Sequence, residues 1–300
     1  MLKHIVAAFC LALLILPASS VLAEDDSLYV GWKKSLIFDF TTTQTAYSDS
    51  WVGGEVGSVN WVSNLNGSAS KYLKEWLELR SSLRLSFGQT KTQDEETREW
   101  SDWKKSTDLI DFENVGLFDM HAYVDPYAAF RLESQVYDGR NPRKKLYLSP
   151  MKLTESAGVA RKLYAKDDDL VISRLGLALR QIMRTAITDT ISLATTRSTE
   201  TDGGLESVTD ASLTLHEDVK LTSKLSLYKA FFFSESDKVE GTEFEDYWKA
   251  IDVNWENIVN VSVTKILTVS LYTQLLYDKE LSKRGRVKET VAIGVTFKLI

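Results

Sequence analysis

Residues 76–88 read Trp-Leu-Glu-Leu-Arg-Ser-Ser-Leu-Arg-Leu-Ser-Phe-Gly, and the rest of the chain repeats this pattern with variations. Alternate positions from Leu77 to Phe87 are mainly apolar, and the interleaved positions from Glu78 to Ser86 are polar or charged. A period of two predicts a β-strand with one apolar and one polar face. At about 3.3 Å per residue, this strand is long enough to cross the core of a bilayer, which takes about 9–11 tilted residues.

The same apolar–polar pattern recurs along the chain. Short and long connections follow one another between the segments that show it. Short turns at one end and long loops at the other are typical of outer-membrane barrels, and an even strand number places both termini at the short-turn end. The sequence therefore predicts an all-β fold, a closed antiparallel up-and-down transmembrane β-barrel of about 12 strands with short periplasmic turns and long extracellular loops. A soluble β-sandwich, which would bury the apolar faces, is the alternative that alternation leaves open.

Three regions fit this pattern less regularly. A turn is predicted at residues 70–72, just before the opening stretch. In the segment 150–163, Glu155 and Arg161 fall on the face that should be apolar. Residues 184–204 are predicted to form the longest connection, extending as a hairpin above the barrel.

The first 23 residues have the features of a secretory signal peptide. Lys3 supplies a positive start, residues 5–16 are apolar, Pro17 follows them, and Val21-Leu22-Ala23 resembles a cleavage site with small residues. We therefore expect a signal peptide at 1–23 and a single outer-membrane β-barrel domain at 24–300. After the leader, no apolar run approaches the roughly 20 residues of a membrane helix.

Cysteine and charge exclude several classes of function. Cys10, the only cysteine, lies within the predicted leader, so a mature chain would have no disulfide, no thiol nucleophile and no cysteine-based metal site. Loss of Lys3 with the leader lowers the formal net charge from −6 to about −7. With scattered charge and no basic patch, we expect no nucleic-acid partner.

Four short motifs point to one family: Trp51-Val52-Gly53-Gly54, the segment from Trp103-Lys104-Lys105 to Asp108, Asp252-Val253-Asn254-Trp255-Glu256-Asn257, and the closing pattern from Lys288-Glu289 to Gly294. Together they resemble the uncharacterised Gram-negative outer-membrane β-barrel family catalogued as domain of unknown function 3078, over nearly the whole mature chain. The resemblance implies an outer-membrane location and brings no established activity. The ending Phe297-Lys298-Leu299-Ile300 departs from the aromatic final residue of many such barrels.

These features lead to expectations about location and partners. We expect export through the cleaved signal peptide to the outer membrane of a Gram-negative bacterium. The expected partners are outer-membrane lipid and, during biogenesis, the barrel-assembly machinery, and we expect a monomer.

Candidate catalytic groups are few. A membrane phospholipase would need a serine activated by a histidine, but His121 and His216 fall at or near short turns, without a serine beside them on a strand. Carboxylate pairs such as Asp111 with Glu113 share one strand face and could perform acid–base chemistry, although a polar barrel interior contains such pairs anyway. We expect no catalytic residues, no metal, no cofactor and no enzymatic activity.

The polar faces of the strands carry charges of both signs, which would lie in the lumen. The candidate lumen-lining residues are Glu78, Arg80, Arg84, Asp111, Arg131, Glu133, Arg174, Arg180, Glu206, Asp252 and Glu256. Opposite charges could line a narrow passive channel for small solutes, or could pair and plug the lumen. In the plugged case the barrel would be structural or act through the loops at 89–104 and 184–204, with Trp51, Trp100 and Trp103 as candidate loop contacts.

Overall fold

The computed structural model describes residues 31–47, 55–120, 122–141, 143–166, 168–189 and 191–300. The unit Gly31–Ile300 is compact. The predicted signal peptide, Trp51 and His121 lie outside the described residues, so the expectations for them stay predictions.

Twelve long antiparallel strands close into a barrel, and two very short strands form a separate hairpin. The barrel strands are β1 (Lys33–Thr45), β2 (Ser58–Lys74), β3 (Leu77–Thr92), β4 (Lys104–Phe118), β5 (Asp125–Ser134), β8 (Met151–Lys166), β9 (Asp169–Ile187), β10 (Thr195–His216), β11 (Val219–Phe233), β12 (Ile251–Ser262), β13 (Leu267–Tyr277) and β14 (Arg286–Lys298). The small hairpin consists of β6 (Tyr137–Asp138) and β7 (Leu146–Tyr147).

Each barrel strand pairs with the barrel strand that follows it in the chain, and β1 pairs with β14 to close the ring. The closing register runs from Ile37 opposite Lys298 to Thr41 opposite Gly294. Closure satisfies the backbone groups that an edge strand would leave open. The predicted closed, up-and-down barrel of 12 strands is confirmed.

The connections alternate in length around the barrel. Short turns at 75–76, 119–124, 167–168, 217–218 and 263–266 define what we call the turn end, where both ends of the strand series also lie. Connections at 46–57, 93–103, 135–150, 188–194, 234–250 and 278–285 define the loop end. The connection 234–250 contains the short helix α1 (Ser236–Val239). Among the described residues, no helix has the length and hydropathy needed to span a membrane.

Two predicted connections were wrong in extent. The turn expected at 70–72 is strand, because pairing continues through Ser70 opposite Arg80 and Tyr72 opposite Glu78. The region 184–204 is not the longest connection, since β9 and β10 stay paired up to Ile187 opposite Thr195 and leave only 188–194 as the tip. Its extension as a hairpin is confirmed. Pairing there satisfies the backbone without needing an apolar face, so the hydrophobic pattern gave no sign of strand.

Nearly all of the irregular segment 150–163 lies in strand β8, which pairs with β9 along its length and with β5 from Lys152 to Ala160. Glu155 points outward into a shallow depression lined by Ala128, Ala157 and Leu177. The guanidinium of Arg161 lies 3.6 Å from the ring centroid of Tyr123, next to the turn end. Both charges therefore lie on the outer surface, and the strand forms despite them because its backbone is paired with β9 at both positions and with β5 as well at Glu155.

The outer face of the barrel is apolar and exposed. Leu177 is 65% exposed, Val291 66% and Ile293 63%. No large side chain among the described residues is fully buried, and many of the buried residues are charged. A sandwich would show the opposite distribution, with apolar faces inside and charges outside.

Aromatic side chains mark both ends of this apolar band. At the loop end, Phe40, Trp61, Phe87 and Tyr137 form a chain with successive ring centroids 6.4, 5.8 and 6.0 Å apart. At the turn end, Trp76 stacks on Phe118 with centroids 6.1 Å apart. Amphipathic rings concentrate at the headgroup level of a bilayer, so this placement is typical of a transmembrane barrel.

Candidate functional site

The polar faces of the strands point into the barrel, as contacts between distant strands show. Arg84 on β3 donates to Glu256 on β12 at 2.7 Å, and Lys162 on β8 donates to Glu78 on β3 at 2.8 Å. Neither strand pair is adjacent in the barrel, so these contacts cross the lumen. By strand alternation, all the predicted lumen residues lie at inward positions: Glu78, Arg80, Arg84, Asp111, Arg131, Glu133, Arg174, Arg180, Glu206, Asp252 and Glu256.

Near the loop end, one arginine joins three strands. Arg180 on β9 donates to Asp202 on β10 at 2.7 Å and to Asp252 on β12 at 2.8 Å. Its guanidinium lies 3.5 Å from the ring centroid of Tyr228, whose hydroxyl also donates to Asp202. Arg180 is therefore the shared counter-charge of two carboxylates.

A second cluster crosses the middle of the lumen. Asp111 accepts hydrogen bonds from Arg84 at 2.5 Å and from Arg131 at 2.9 Å. Arg84 continues across to Glu256. Arg131 also pairs with Glu133 at 3.1 Å, which in turn pairs with Lys152 at 2.8 Å. The chain of charges therefore runs from β12 through β3, β4 and β5 to β8.

Two further clusters lie towards the turn end. Glu113 accepts hydrogen bonds from Arg174 at 2.7 Å and Lys224 at 2.6 Å, and Arg174 also reaches Asp210 at 3.1 Å. Glu78 is bound by Arg80 at 2.7 Å and by Lys162, which also donates to Tyr72. We call these four clusters together the ion-pair lattice.

Water is excluded from the centre of the lattice, because eight of its 16 charged residues are buried. Arg174 is 3% exposed, Asp111 4% and Arg131 8%. Desolvating an ion costs several kcal/mol, and this cost is offset only where each charge is paired with good geometry. The shared carboxylates and forked guanidiniums meet that condition and hold β3, β4, β5 and β8–β12 together on their inner side.

The part of the lumen wall formed by β13, β14, β1 and β2 differs from the lattice in burial and charge. On β13, β14, β1 and β2 no residue is buried, and the inward side chains are mostly small and uncharged. We call this surface the neutral wall; it includes Thr41, Asn60, Asn64, Asn66, Ser68, Ser270, Thr290 and Thr296. Its carboxylate Asp39 accepts a hydrogen bond from Thr296 at 2.6 Å. Water-sized molecules can therefore reach the neutral wall but not the core of the lattice.

Several lattice residues were missing from the predicted set. Asp202 was assigned to a loop, and Lys152 and Lys162 lie on the irregular strand β8. Lys224 and Asp210 follow the inward alternation of their strands and could have been found from it. Glu206 was predicted, and it lies within electrostatic range of Arg174.

Other predicted groups lie apart from the lumen. Trp100 and Trp103 are 41% and 43% exposed. The ammonium group of Lys91 lies 4.8 Å from the ring centroid of Trp100 and 5.0 Å from that of Trp103. His216 ends β10 opposite Val219, at a short turn. Among the residues that the structure describes, no three His, Cys, Asp or Glu side chains are grouped to hold a metal ion.

Residues 42–139 match the model of a family described as Protein of unknown function (DUF3078). The resemblance to that family is thus confirmed over this stretch, which is shorter than the nearly complete coverage expected from the motifs. No curated protein matches the sequence.

Solved structures of similar shape are barrels of several kinds. An outer membrane channel from Pseudomonas putida F1 (COG4313) is 14% identical with a TM-score of 0.40, over 92% of this chain and 98% of that one. The translocator domain of the autotransporter NalP from Neisseria meningitidis is 9% identical with a TM-score of 0.36, over 91% and 90%. The NanC porin is 9% identical with a TM-score of 0.35, over 88% and 100%.

Proposed function

We propose that this protein is a monomeric, non-enzymatic outer-membrane barrel of a Gram-negative bacterium that admits small polar solutes through a narrow passage along the neutral wall. The loop end faces the outside and the turn end faces the periplasm. Outer-membrane lipid surrounds the apolar face, and the barrel-assembly machinery inserts the chain after cleavage of the signal peptide.

The membrane location is supported by the outer surface. Every barrel strand has at least the 10 residues of β5, within the roughly 9–11 needed to cross a bilayer core at a tilt. The outward side chains of β9 and β14 are apolar and exposed, and aromatic rings lie at both ends of the band. Exposing this surface to water would be unfavourable, whereas lipid would cover it.

The channel proposal rests on the contrast between the ion-pair lattice and the neutral wall. A barrel of about eight strands is filled by side chains, while barrels of 16 or more strands hold an aqueous channel. In this barrel of 12 strands, the ion-pair lattice fills one side and the neutral wall stays accessible. Hydroxyl and amide groups on that wall can exchange hydrogen bonds with a passing polar solute.

Single-channel recording tests the proposal. The purified, refolded protein is first shown to migrate in its heat-modifiable, folded form on a gel, and is then added to a planar bilayer. We expect small, reproducible current steps with weak selectivity between cations and anions, because the lattice charges are paired. A folded barrel that produces no steps would overturn the channel function.

A second candidate function is a plugged structural barrel that acts through its loops. It is favoured by the lattice itself, whose contacts from β3 to β12 and from β4 to β9 and β11 cross the lumen. The half-exposed rings of Trp100 and Trp103 would then be contact residues. Silent bilayers, together with loss of cell-surface binding after deletion of residues 94–102, would support this candidate over the channel.

A further inference from the structure

A cavity of about 390 Å³ opens at the loop end of the barrel, outside the lattice. The connection 234–250 forms most of it, and the loop-end parts of β9, β10 and β11 and the connection 278–285 complete it. Its volume lies within the range of about 300–1,000 Å³ that is typical of small-molecule sites. None of the groups that line it belongs to the neutral wall.

Four aromatic residues form the apolar part of the cavity. Phe233 and Trp248 lie with ring centroids 6.2 Å apart, and Phe244 meets Tyr247 edge-on at 5.3 Å. Trp248 also packs against the buried cluster that contains Tyr228, which fixes the wall to strand β11. The cavity is therefore lined by rings held in place by the barrel.

These rings already attract ammonium groups of the chain itself. The ammonium of Lys249 lies 5.3 Å from the centroid of Trp248, and that of Lys279 lies 4.6 Å from the centroid of Tyr247. The negative face of an aromatic ring attracts a cation within about 6 Å. The aromatic part of the cavity is thus suited to positively charged groups.

One carboxylate in the lining of the cavity, that of Glu280, forms no ion pair with the basic side chains of the described residues. Arg184 pairs with Glu200 at 2.5 Å, and Lys238 pairs with Glu235. Glu280 lines the same cavity, and no basic side chain in the described part of the chain forms an ion pair with it. A ligand that enters the cavity therefore meets one carboxylate without a counter-charge.

The surroundings add to this negative field. Residues 234–250 contain six acidic side chains and two basic ones: Glu235, Asp237, Glu240, Glu243, Glu245 and Asp246 against Lys238 and Lys249. Desolvation by the surrounding groups, together with the nearby carboxylates Asp278 and Asp252, raises the pKa of Glu280 to about 7, although its side chain stays exposed to solvent. A neighbouring cation would stabilise the ionised form of this carboxylate.

We propose that the cavity binds small organic cations, with the ammonium group held between the Glu280 carboxylate and the aromatic faces of Phe244 and Trp248. This site is separate from the passage through the lumen. Binding at the cavity does not require that the barrel conducts, so the two proposals fail independently.

Calorimetry with choline tests the site on the whole refolded protein in a maltoside detergent, which carries no cationic headgroup. Neohexyl alcohol, the uncharged carbon isostere of choline, is the matched probe. We expect choline to bind about tenfold more tightly than the isostere, because only choline carries the positive charge that the aromatic rings and the carboxylate attract. Equal binding of the two probes would overturn the proposal.

Two variants assign the binding to this cavity. E280Q removes the unpaired charge and should weaken choline binding about tenfold, while F244L should weaken it through loss of an aromatic face. E243Q is the control, because Glu243 lies on the same loop and pairs with Lys283 at 2.8 Å outside the cavity. Unchanged binding in E280Q, with folded gel migration retained, would contradict the site.

The pH dependence gives a readout that a structural role of Glu280 would not produce. A carboxyl with a pKa of about 7 is charged at pH 8 and mostly protonated at pH 6, so choline affinity should fall about tenfold on acidification. E280Q should remove most of this dependence. The charged groups around Glu280 are Asp278, Asp252, Asp202, Arg180, Arg184, Glu200, Glu235 and Lys238. An equal fall in E280Q would attribute the effect to them and contradict the proposal.

Discussion

The ion-pair lattice and the neutral wall line the same lumen, yet the lattice fills its side of the lumen and the neutral wall leaves its side open. Arginine side chains from β3 and β9 reach partners on strands across the barrel, and most of the carboxylates that they bind are buried. Asparagine, serine and threonine on β13, β14, β1 and β2 are too short to do so and remain accessible. The length and pairing of the inward side chains, and not polarity alone, therefore decide whether a barrel of this size is filled.

The largest effect is expected from breaking the lattice at Arg180. R180L leaves Asp202 and Asp252 without the basic group that pairs with both. Removing one partner of a buried ion pair costs about 3–5 kcal/mol, so the free energy of unfolding should fall by about that amount. Urea unfolding of the lipid-inserted barrel measures it.

The control for R180L lies on the neutral wall. Lys288 is exposed and lies 5.5 Å from the ring centroid of Tyr272, so K288L should change the free energy of unfolding by less than about 1 kcal/mol. Similar losses in both variants would mean that the lattice does not stabilise the barrel more than the opposite wall.

A bulky residue on the neutral wall should close the passage. Thr290 points inward and is exposed, so T290W should remove most of the single-channel current by filling the space beside the wall. V291W is the matched control, because Val291 is the next residue and points outward with 66% exposure. Planar-bilayer recordings of both variants measure the effect, and equal currents would place the passage elsewhere.

Shortening a lattice arginine should also change the ion selectivity of the passage. R84A removes the guanidinium that bridges Asp111 and Glu256, which leaves extra negative charge beside the lumen. We expect a shift of the reversal potential towards cation selectivity in a salt gradient. R161A, which removes an outer arginine stacked on Tyr123, should leave the reversal potential unchanged.

The smallest effect is expected on the outer face. Glu155 is exposed among Ala128, Ala157 and Leu177, where lipid disfavours a carboxylate. E155L should raise the free energy of unfolding in liposomes by about 1 kcal/mol. E289L, near the loop end of β14, should gain less because charge is tolerated near the interface. Destabilisation by E155L would indicate that this carboxylate has a partner of its own.

Alternation predicted the barrel and the inward position of Arg180, because a strand with one apolar and one polar face leaves little choice of orientation. It did not predict that Asp202 pairs with Arg180, since the polar residues around Asp202 carry no apolar stripe and were assigned to a loop. The contacts of Arg84 with Glu256 and of Lys162 with Glu78 depend on closure and strand stagger, which local sequence does not encode. The cavity beside Glu280 is built from two connections and the loop-end parts of three strands, so the local sequence did not predict it either.

Cysteine accessibility tests the passage along the neutral wall most directly. Cys10 is the only cysteine in the sequence, so a chain without its predicted leader carries no competing thiol. S68C places a thiol at an exposed, inward position of the neutral wall, and S156C places one at a position only 6% exposed on the lattice side. A charged methanethiosulfonate reagent should reduce the current through S68C and leave S156C unchanged. Block of S156C with no effect on S68C would contradict a passage along the neutral wall.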